Sequence, residues 1–250
     1  MNYRQITFAA ALVCVSFAAP ASATEPRAVI ELFTSQGCSS CPAADKLLGE
    51  LAQDPSLVTM SLAVDIWDYL GWKDTLALHG HSDRQRAYAN ARGDREVYTP
   101  QVVINGIVHV LGSDKAAIEK AIAQTRRSAA PLKVPVAIAV ADGKVTVNVP
   151  AVKDAQSSGE VWLCPITGKA PVAIERGENR GHTMTYTNVV RRWVKLGNWD
   201  GKAAIFSVPL ADIPNAEYSL QDIDRLDVIV QSGVAAKPGL MLGAATAALR

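Results

Sequence analysis

Seven residues, "AVIELFT" (Ala28–Thr34), form a nearly unbroken apolar and β-branched run. That is the pattern of a buried strand. "SQGC" interrupts it. In the following "CPAADKLLGELAQ", Ala44, Leu47, Leu48 and Leu51 fall at i, i+3, i+4 and i+7, one face of a helix. Asp54-Pro55 ends this helix, and "LVTMSLAVD" (Leu57–Asp65) predicts a second strand. Residues Ile66–Ser82 carry two tryptophans and no clear period, and read as a long inserted loop or broken helix. "SDRQRAYANARG" then predicts a helix, with Ser82 as N-cap and Gly93 as its stop. "QVVI" and "IVHVL" are two short strands joined by Asn105-Gly106, a strong signal for a two-residue hairpin. Ser113 is expected to cap a last helix, "DKAAIEKAIAQTRR", with Ala117, Ile118, Ala121 and Ile122 on its apolar side.

The predicted order is β-α-β-α-β-β-α, a parallel half followed by a hairpin and a closing helix. This is the order of an α/β thioredoxin-like domain, here with a long insertion after the second strand. That fold keeps its active site at the first strand–helix turn, where this chain places Cys38 and Cys41. It also sets a cis-proline before the hairpin, facing the cysteines, and Thr99-Pro100 of "VYTP" occupies that place.

The pattern changes near "SAAPLKVP" (Ser128–Pro135), which reads as a linker. Beyond it, "VAIAV" and "KVTVNV" alternate around Asp142-Gly143 like a hairpin, and "GEVWLCPI", "HTMTYTNVVRRWV", "AAIFSVPL" and "RLDVIVQSG" add strands. Helical periodicity is weak there, so residues 131–250 are expected to form a small antiparallel β domain, a sandwich. The thioredoxin-like domain is expected over residues 24–130.

The N-terminus adds a compartment. Arg4 precedes the apolar run "ITFAAALVCVSFAAP", and "ASA" (Ala21–Ala23) follows. A basic start, a short apolar core and a small-x-small site predict a signal peptide over residues 1–23, cleaved after Ala23. The run is shorter than the roughly 20 apolar residues of a spanning helix. Val13 before Cys14 is too large for lipoprotein processing. The mature chain is thus expected to be periplasmic or secreted, without stable membrane association. Loss of Arg4 leaves 24 of the 25 basic residues against 24 acidic ones. A chain without net charge is a poor nucleic-acid ligand. Removal of Cys14 leaves Cys38, Cys41 and Cys164, so one internal bridge at most can form, in a compartment where bridges persist.

Three chemistries fit "CSSC". The first is thiol–disulfide exchange with protein thiols or disulfides, which needs no cofactor. Cys38, just before the helix, attacks as a thiolate stabilised by the helix N-terminus, and Cys41 resolves the mixed disulfide. The second is a permanent staple, which constrains little because its loop is short. The third is a copper or zinc module. It would need Cys164 and a histidine to complete the ligand set, since there is no second CxxC. Pro42 must lie in the first helical turn, where its missing N–H is harmless. With Cys38 as cap it would lie too deep, so Ser39 or Ser40 is the expected cap, and Cys38 sits at the edge of the dipole field.

"ELFTSQGCSSCPAADKLL", "VDIWDYLGWKD", "RQRAYA", "VYTPQVVING", "GENRGHTMTYTNVV" and "LGNWDG" occur in one order and together resemble the secreted thioredoxin-like proteins of the domain of unknown function 1223 family. The resemblance runs from about Val29 to near the C-terminus. It implies a thioredoxin-like fold and bacterial export, and supplies no substrate. The chain differs from ordinary thioredoxins in its Ser39-Ser40 dipeptide and in having no tryptophan before Cys38.

Other residues extend the candidate site. Asp65 ends the second strand and is a candidate proton acceptor for the resolving thiol, with capping of the next turn as the alternative. Trp67, Tyr69 and Trp72 offer an apolar rim for a partner peptide, Thr99 adjoining it, or else pack the long loop. His79 and His81 are expected as solvated loop residues rather than ligands. Cys164 is expected to be a buried, inert thiol. "GENRGHTMTYTNVV" (Gly177–Val190) is expected to dock the β domain against the thioredoxin face, or to be a plain hairpin connection.

Overall fold

A computed structural model of the chain describes residues 26–152 and 158–249. The expected signal peptide, its cleavage site after Ala23 and Cys14 lie outside the described residues. β1 (Ala28–Thr34) is buried along its whole length. Alternate side chains point to opposite faces of a strand, so both faces of β1 must be covered. Ile30 and Leu32 pack with Leu47, Leu48 and Leu51 of α1 (Pro42–Leu51) and Ile118 and Ile122 of α3 (Lys115–Ser128). Val29 and Phe33 pack on the other face with Tyr88 of α2 (His79–Arg92).

β1 runs parallel to β2 (Leu57–Ala63) and antiparallel to β3 (Gln101–Ile104), which pairs with β4 (Val108–Leu111). Asn105 and Gly106 join β3 to β4 with φ of +50° and +79°, the mirror-type turn that suits the twist of a hairpin. The segment between β2 and α2 holds one turn of 3-10 helix, Asp68–Leu70, and no longer element.

Three helix starts differ from expectation, each for a local reason. α1 begins at Pro42 with Cys41, not Ser39 or Ser40, as its N-cap. α2 begins at His79, because the Ser82 hydroxyl is engaged by Asp65 instead of capping. α3 is capped by Asp114 in place of Ser113, its carboxylate accepting from the Ala117 amide at 2.9 Å. Gly93 closes α2 with φ +83°.

The larger difference lies beyond residue 131. β7 (Gly159–Ala173), β8 (Thr183–Val190), β11 (Arg225–Val234) and β12 (Lys237–Ala248) extend the first sheet instead of forming one of their own. The order is β12-β11-β7-β8-β2-β1-β3-β4, with β9 (Val194–Trp199) also pairing with β7. The join is a parallel bridge between Ser61 and Val189. A second sheet, β10 (Ala204–Pro209), β6 (Lys144–Val149) and β5 (Ala137–Ala141), stacks on the extension. Val145, Val147 and Val149 there meet Val161, Leu163, Val228 and Val230. The expected sandwich thus has one layer of its own and one shared with the N-terminal half. Strand patterns in sequence do not say which edge a strand will pair with, and β2 offers an edge that β8 covers.

A buried polar cluster fastens the two halves. Glu31 of β1, fully buried, accepts from Arg84 Nε at 2.7 Å and from the Tyr88 hydroxyl at 2.6 Å. Arg84 also donates to Gln231 of β11 at 2.9 Å, and its guanidinium lies 4.0 Å from the centre of the Trp193 ring. Removing one partner of a buried ion pair leaves the other charge uncompensated. Glu31→Leu is expected to destabilise the full chain by about 3–5 kcal/mol, read from urea unfolding. A loss within that of ordinary surface substitutions would show that the cluster does not hold the halves together.

Candidate functional site

The chain leaves β1 at Thr34 and stays buried through Cys38, although residues 35–41 are neither strand nor helix. Buried backbone groups must be paired, and here they are. The Cys38 amide donates to Ser35 O at 3.1 Å and the Cys41 amide to Cys38 O at 3.2 Å. The Gln36 amide donates to Asp74 Oδ2 at 2.7 Å. Cys38 and Cys41 are joined by a disulfide with a Cα–Cα separation of 5.4 Å, inside the usual bridging range. Cys41 is fully buried, while Cys38 keeps 5% of its surface exposed. Pro42 at the first helical position removes an N–H that has no intrahelical partner anyway.

The Thr99-Pro100 bond is cis. The Ser40 hydroxyl lies 3.4 Å from both Cys38 Sγ and Thr99 O, which sets the proline segment beside the pair. Gly112 makes room for this packing. A Cβ there would lie 3.1 Å from Pro100 Cβ, 3.2 Å from Ala44 Cβ and 2.8 Å from Leu32 Cδ1.

The tryptophans of the 66–78 segment close the other sides. Trp67 Nε1 donates to Thr99 Oγ1 at 2.7 Å, and its Cβ abuts Gly37. Trp72 Nε1 donates to Gln36 Oε1 at 2.8 Å. Both rings are half-buried, so they line the site while packing the loop. Tyr69, 6.2 Å from Trp67 between ring centres, is 76% exposed.

Asp65 does not serve the cysteines. Its carboxylate accepts from the Ser82 hydroxyl and pairs with His79 Nδ1 at 2.7 Å, at the start of α2. Burial pushes its pKa up, but the hydrogen bonds from Ser82 and His79 outweigh this and hold it below the ordinary value. The two histidines are not loop residues. His79 is exposed on the first turn of α2, whereas His81 is fully buried with Nδ1 3.0 Å from Ala63 O. Among the described residues no group of three or more His, Cys, Asp or Glu side chains converges to hold a metal ion. Cys164 on β7 is a fully buried free thiol, its pKa pushed up by burial.

A carboxyl that the sequence reading did not single out, Asp45, is buried next to the cysteine turn. It lies one turn below Cys41 on α1, and its amide donates to Cys41 O at 3.0 Å. Only 5% exposed, it accepts from Thr34 Oγ1 at 3.0 Å, and its other oxygen, Oδ1, is buried without a hydrogen-bond partner among the described residues. Burial pushes its pKa up to about 8, partly offset by Thr34, with Asp74 adding to the rise. Asp74 is pushed to about 6, again chiefly by burial. The i, i+4 spacing from Cys41 was the available signal, since it sets both side chains on one helix face.

Glu178 and Asn179 were also missed as individuals, though their loop was singled out. Buried Asn179 donates from Nδ2 to Gln36 O at 2.8 Å and to Cys38 O at 2.9 Å. The Ser39 amide donates to Glu178 Oε2 at 3.2 Å. The loop between β7 and β8 therefore reaches the cysteine turn.

A family model described as a protein of unknown function, DUF1223, matches residues 29–231. The crystal structure of protein AGR_C_4864 from Agrobacterium tumefaciens superposes with a TM-score of 0.77 at 31% identity, covering 89% of this chain and 94% of that one. HBP35 of Porphyromonas gingivalis superposes with a TM-score of 0.55 at 12% identity, covering 90% of this chain and 76% of that one, a likeness of fold alone. No curated protein matches the chain significantly.

The buried acid has a consequence for stability. Folded Asp45 keeps its proton up to about pH 8, while an unfolded aspartate ionises near about 3.9. Between these values the folded state holds the extra proton, so this group's contribution to stability falls as pH rises. His81 acts in the opposite sense: its folded pKa of about 4 lies below the ordinary 6.5, so stability is lost as pH falls through that range. Asp45→Asn is expected to gain stability over the parent progressively from about pH 4 to about pH 8, reaching on the order of a few kcal/mol. Parallel denaturation curves at several pH values would measure this, and a constant difference would refute it.

Proposed function

We propose that this chain, which belongs to the DUF1223 family, is an exported thioredoxin-like thiol–disulfide oxidoreductase acting on protein thiols or disulfides. One observation carries the reading: Cys38 and Cys41 are bonded to each other at the turn from β1 into α1, against the cis Thr99-Pro100 segment. The flanking arrangement supports it. β1 lies between a parallel and an antiparallel neighbour, with helices on both faces. Only a pair that can open and close at an accessible sulfur suits exchange, and Cys38 is the sulfur nearer the surface.

In the reducing direction the Cys38 thiolate attacks one sulfur of a substrate disulfide. A Cys38–substrate disulfide forms, and the other substrate sulfur leaves as a thiolate and takes up a proton. The Cys41 thiol then loses its proton to the Asp45 carboxylate and attacks Cys38 Sγ. The Cys38–Cys41 bond forms, and the second substrate sulfur leaves as a thiolate, so two electrons pass from the pair to the substrate. In the oxidising direction the same steps run backwards and Asp45 returns the proton. A carboxyl with a pKa near the working pH transfers protons efficiently both ways, and Asp45 takes the role first assigned to Asp65. Trp67, bonded to Thr99, and Trp72, bonded to Gln36, stand about the cysteine turn and in this reading form the wall of the substrate groove.

Cys38→Ser is expected to abolish exchange with a model disulfide, whereas Cys41→Ser accumulates a mixed disulfide that mass spectrometry can identify. Asp45→Asn should slow resolution about tenfold or more near neutral pH. An undiminished exchange rate in Cys38→Ser would exclude this mechanism.

A further inference from the structure

The loop between β7 and β8 is anchored onto the cysteine turn from more than a hundred residues away. Asn179 occupies two carbonyls of the turn, those of Gln36 and Cys38. Glu178 occupies the Ser39 amide. Gly177 allows the approach: its φ is +76°, and a Cβ there would lie 3.2 Å from Trp72 Cβ. A plain hairpin connection would need none of these contacts. We infer that Glu178 and Asn179 are positioning residues of the redox site, Asn179 holding the Cys38 backbone and Glu178 placing a carboxylate on the Ser39 amide, the next residue along from Cys38. This rests on the reading of Cys38 and Cys41 as an exchanging pair.

The chemistry follows from what a thiolate needs. A Cys38 thiolate is stabilised by nearby N–H donors and positive charge. The Ser39 amide is the next donor along the chain, and Glu178 engages it while adding a negative charge. Both effects disfavour the thiolate and so favour the bonded form of the pair. The other ionisable groups around the turn are Asp45 on α1, Asp74 in the 66–78 segment and Tyr186 on β8, with Arg176 and Arg180 flanking Glu178 on its own loop. The proline side of the site, Thr99-Pro100 with Trp67, brings no charge. Glu178 is exposed, so its effect is modest and open to screening by salt.

The test measures the Cys38 titration directly, as the rate of alkylation against pH in Cys41→Ser protein, alongside the glutathione equilibrium of the intact pair. Glu178→Gln keeps an acceptor for the Ser39 amide and removes the charge. It should lower the Cys38 pKa by about half a unit, roughly threefold in acidity, with most of the difference lost at about 1 M salt. In the intact pair it should shift the glutathione equilibrium toward the dithiol. Glu178→Ala frees the amide as well and should shift both readouts further. Asn179→Ala should speed amide hydrogen exchange at Gln36–Cys38; if that variant does not fold, the two Glu178 variants decide alone. An unchanged titration in both Glu178 variants overturns the inference, even if exchange activity is normal. A shifted titration supports it, and if the parent protein then exchanges with no disulfide, the oxidoreductase reading falls while the positioning role stands.

Discussion

Residues 35–41 face two demands at once. The Cys38 sulfur comes within reach of the surface, yet most of the backbone around it is buried and has no ladder to bond with. Each amide and carbonyl left in that position costs on the order of 1–3 kcal/mol unless it finds a partner. The partners come from two distant places. In the segment after β2, Asp74 accepts from the Gln36 amide, and Trp72 and Thr75 also hold the Gln36 side chain, while Asn179 and Glu178 serve the backbone of Gln36, Cys38 and Ser39 from the loop after β7.

That demand gives the rest of the architecture a purpose. The segment after β2 has little regular structure and divides its hydrogen bonds between its own turns and the cysteine turn. The loop after β7 can reach the turn only because β8 joins the first sheet at β2, and the Glu31–Arg84–Tyr88–Gln231 cluster clamps the same two halves beneath. A cysteine turn confined to the first 130 residues would lack the contacts of Glu178 and Asn179. The carboxyl of Asp45 belongs to the same packing: burial keeps it neutral over much of the pH range, while its amide bonds to Cys41 O.

The local patterns were legible because they depend on neighbours in the chain. The apolar run of β1, the i, i+3, i+4 face of α1, the Asn105-Gly106 turn and the Gly93 stop all stand where their spacing put them. Helix starts were less so, since a capping side chain is free to choose a distant partner, as Ser82 chose Asp65. Asp65 and Asp45 show the same limit at the site. Asp45 follows Cys41 by four residues and Asp65 follows β2, and only packing decides that Asp65 is drawn to His79 while Asp45 is buried on the inner face of α1.

The sequence by itself determined the order of elements, the cysteine pair at the first strand–helix turn, and the place of Pro42 in the first turn of α1. These follow from periodicity, spacing and the missing N–H of proline, all of them short-range. Tertiary structure alone decided that the C-terminal strands extend the first sheet, that Asp45 is sealed from solvent while Asp65 is drawn to His79, and that Glu178 and Asn179 hold the turn. Those outcomes depend on which sheet edge is left to pair and on which buried polar groups remain unsatisfied. Both are properties of the folded packing, with no counterpart in residue spacing.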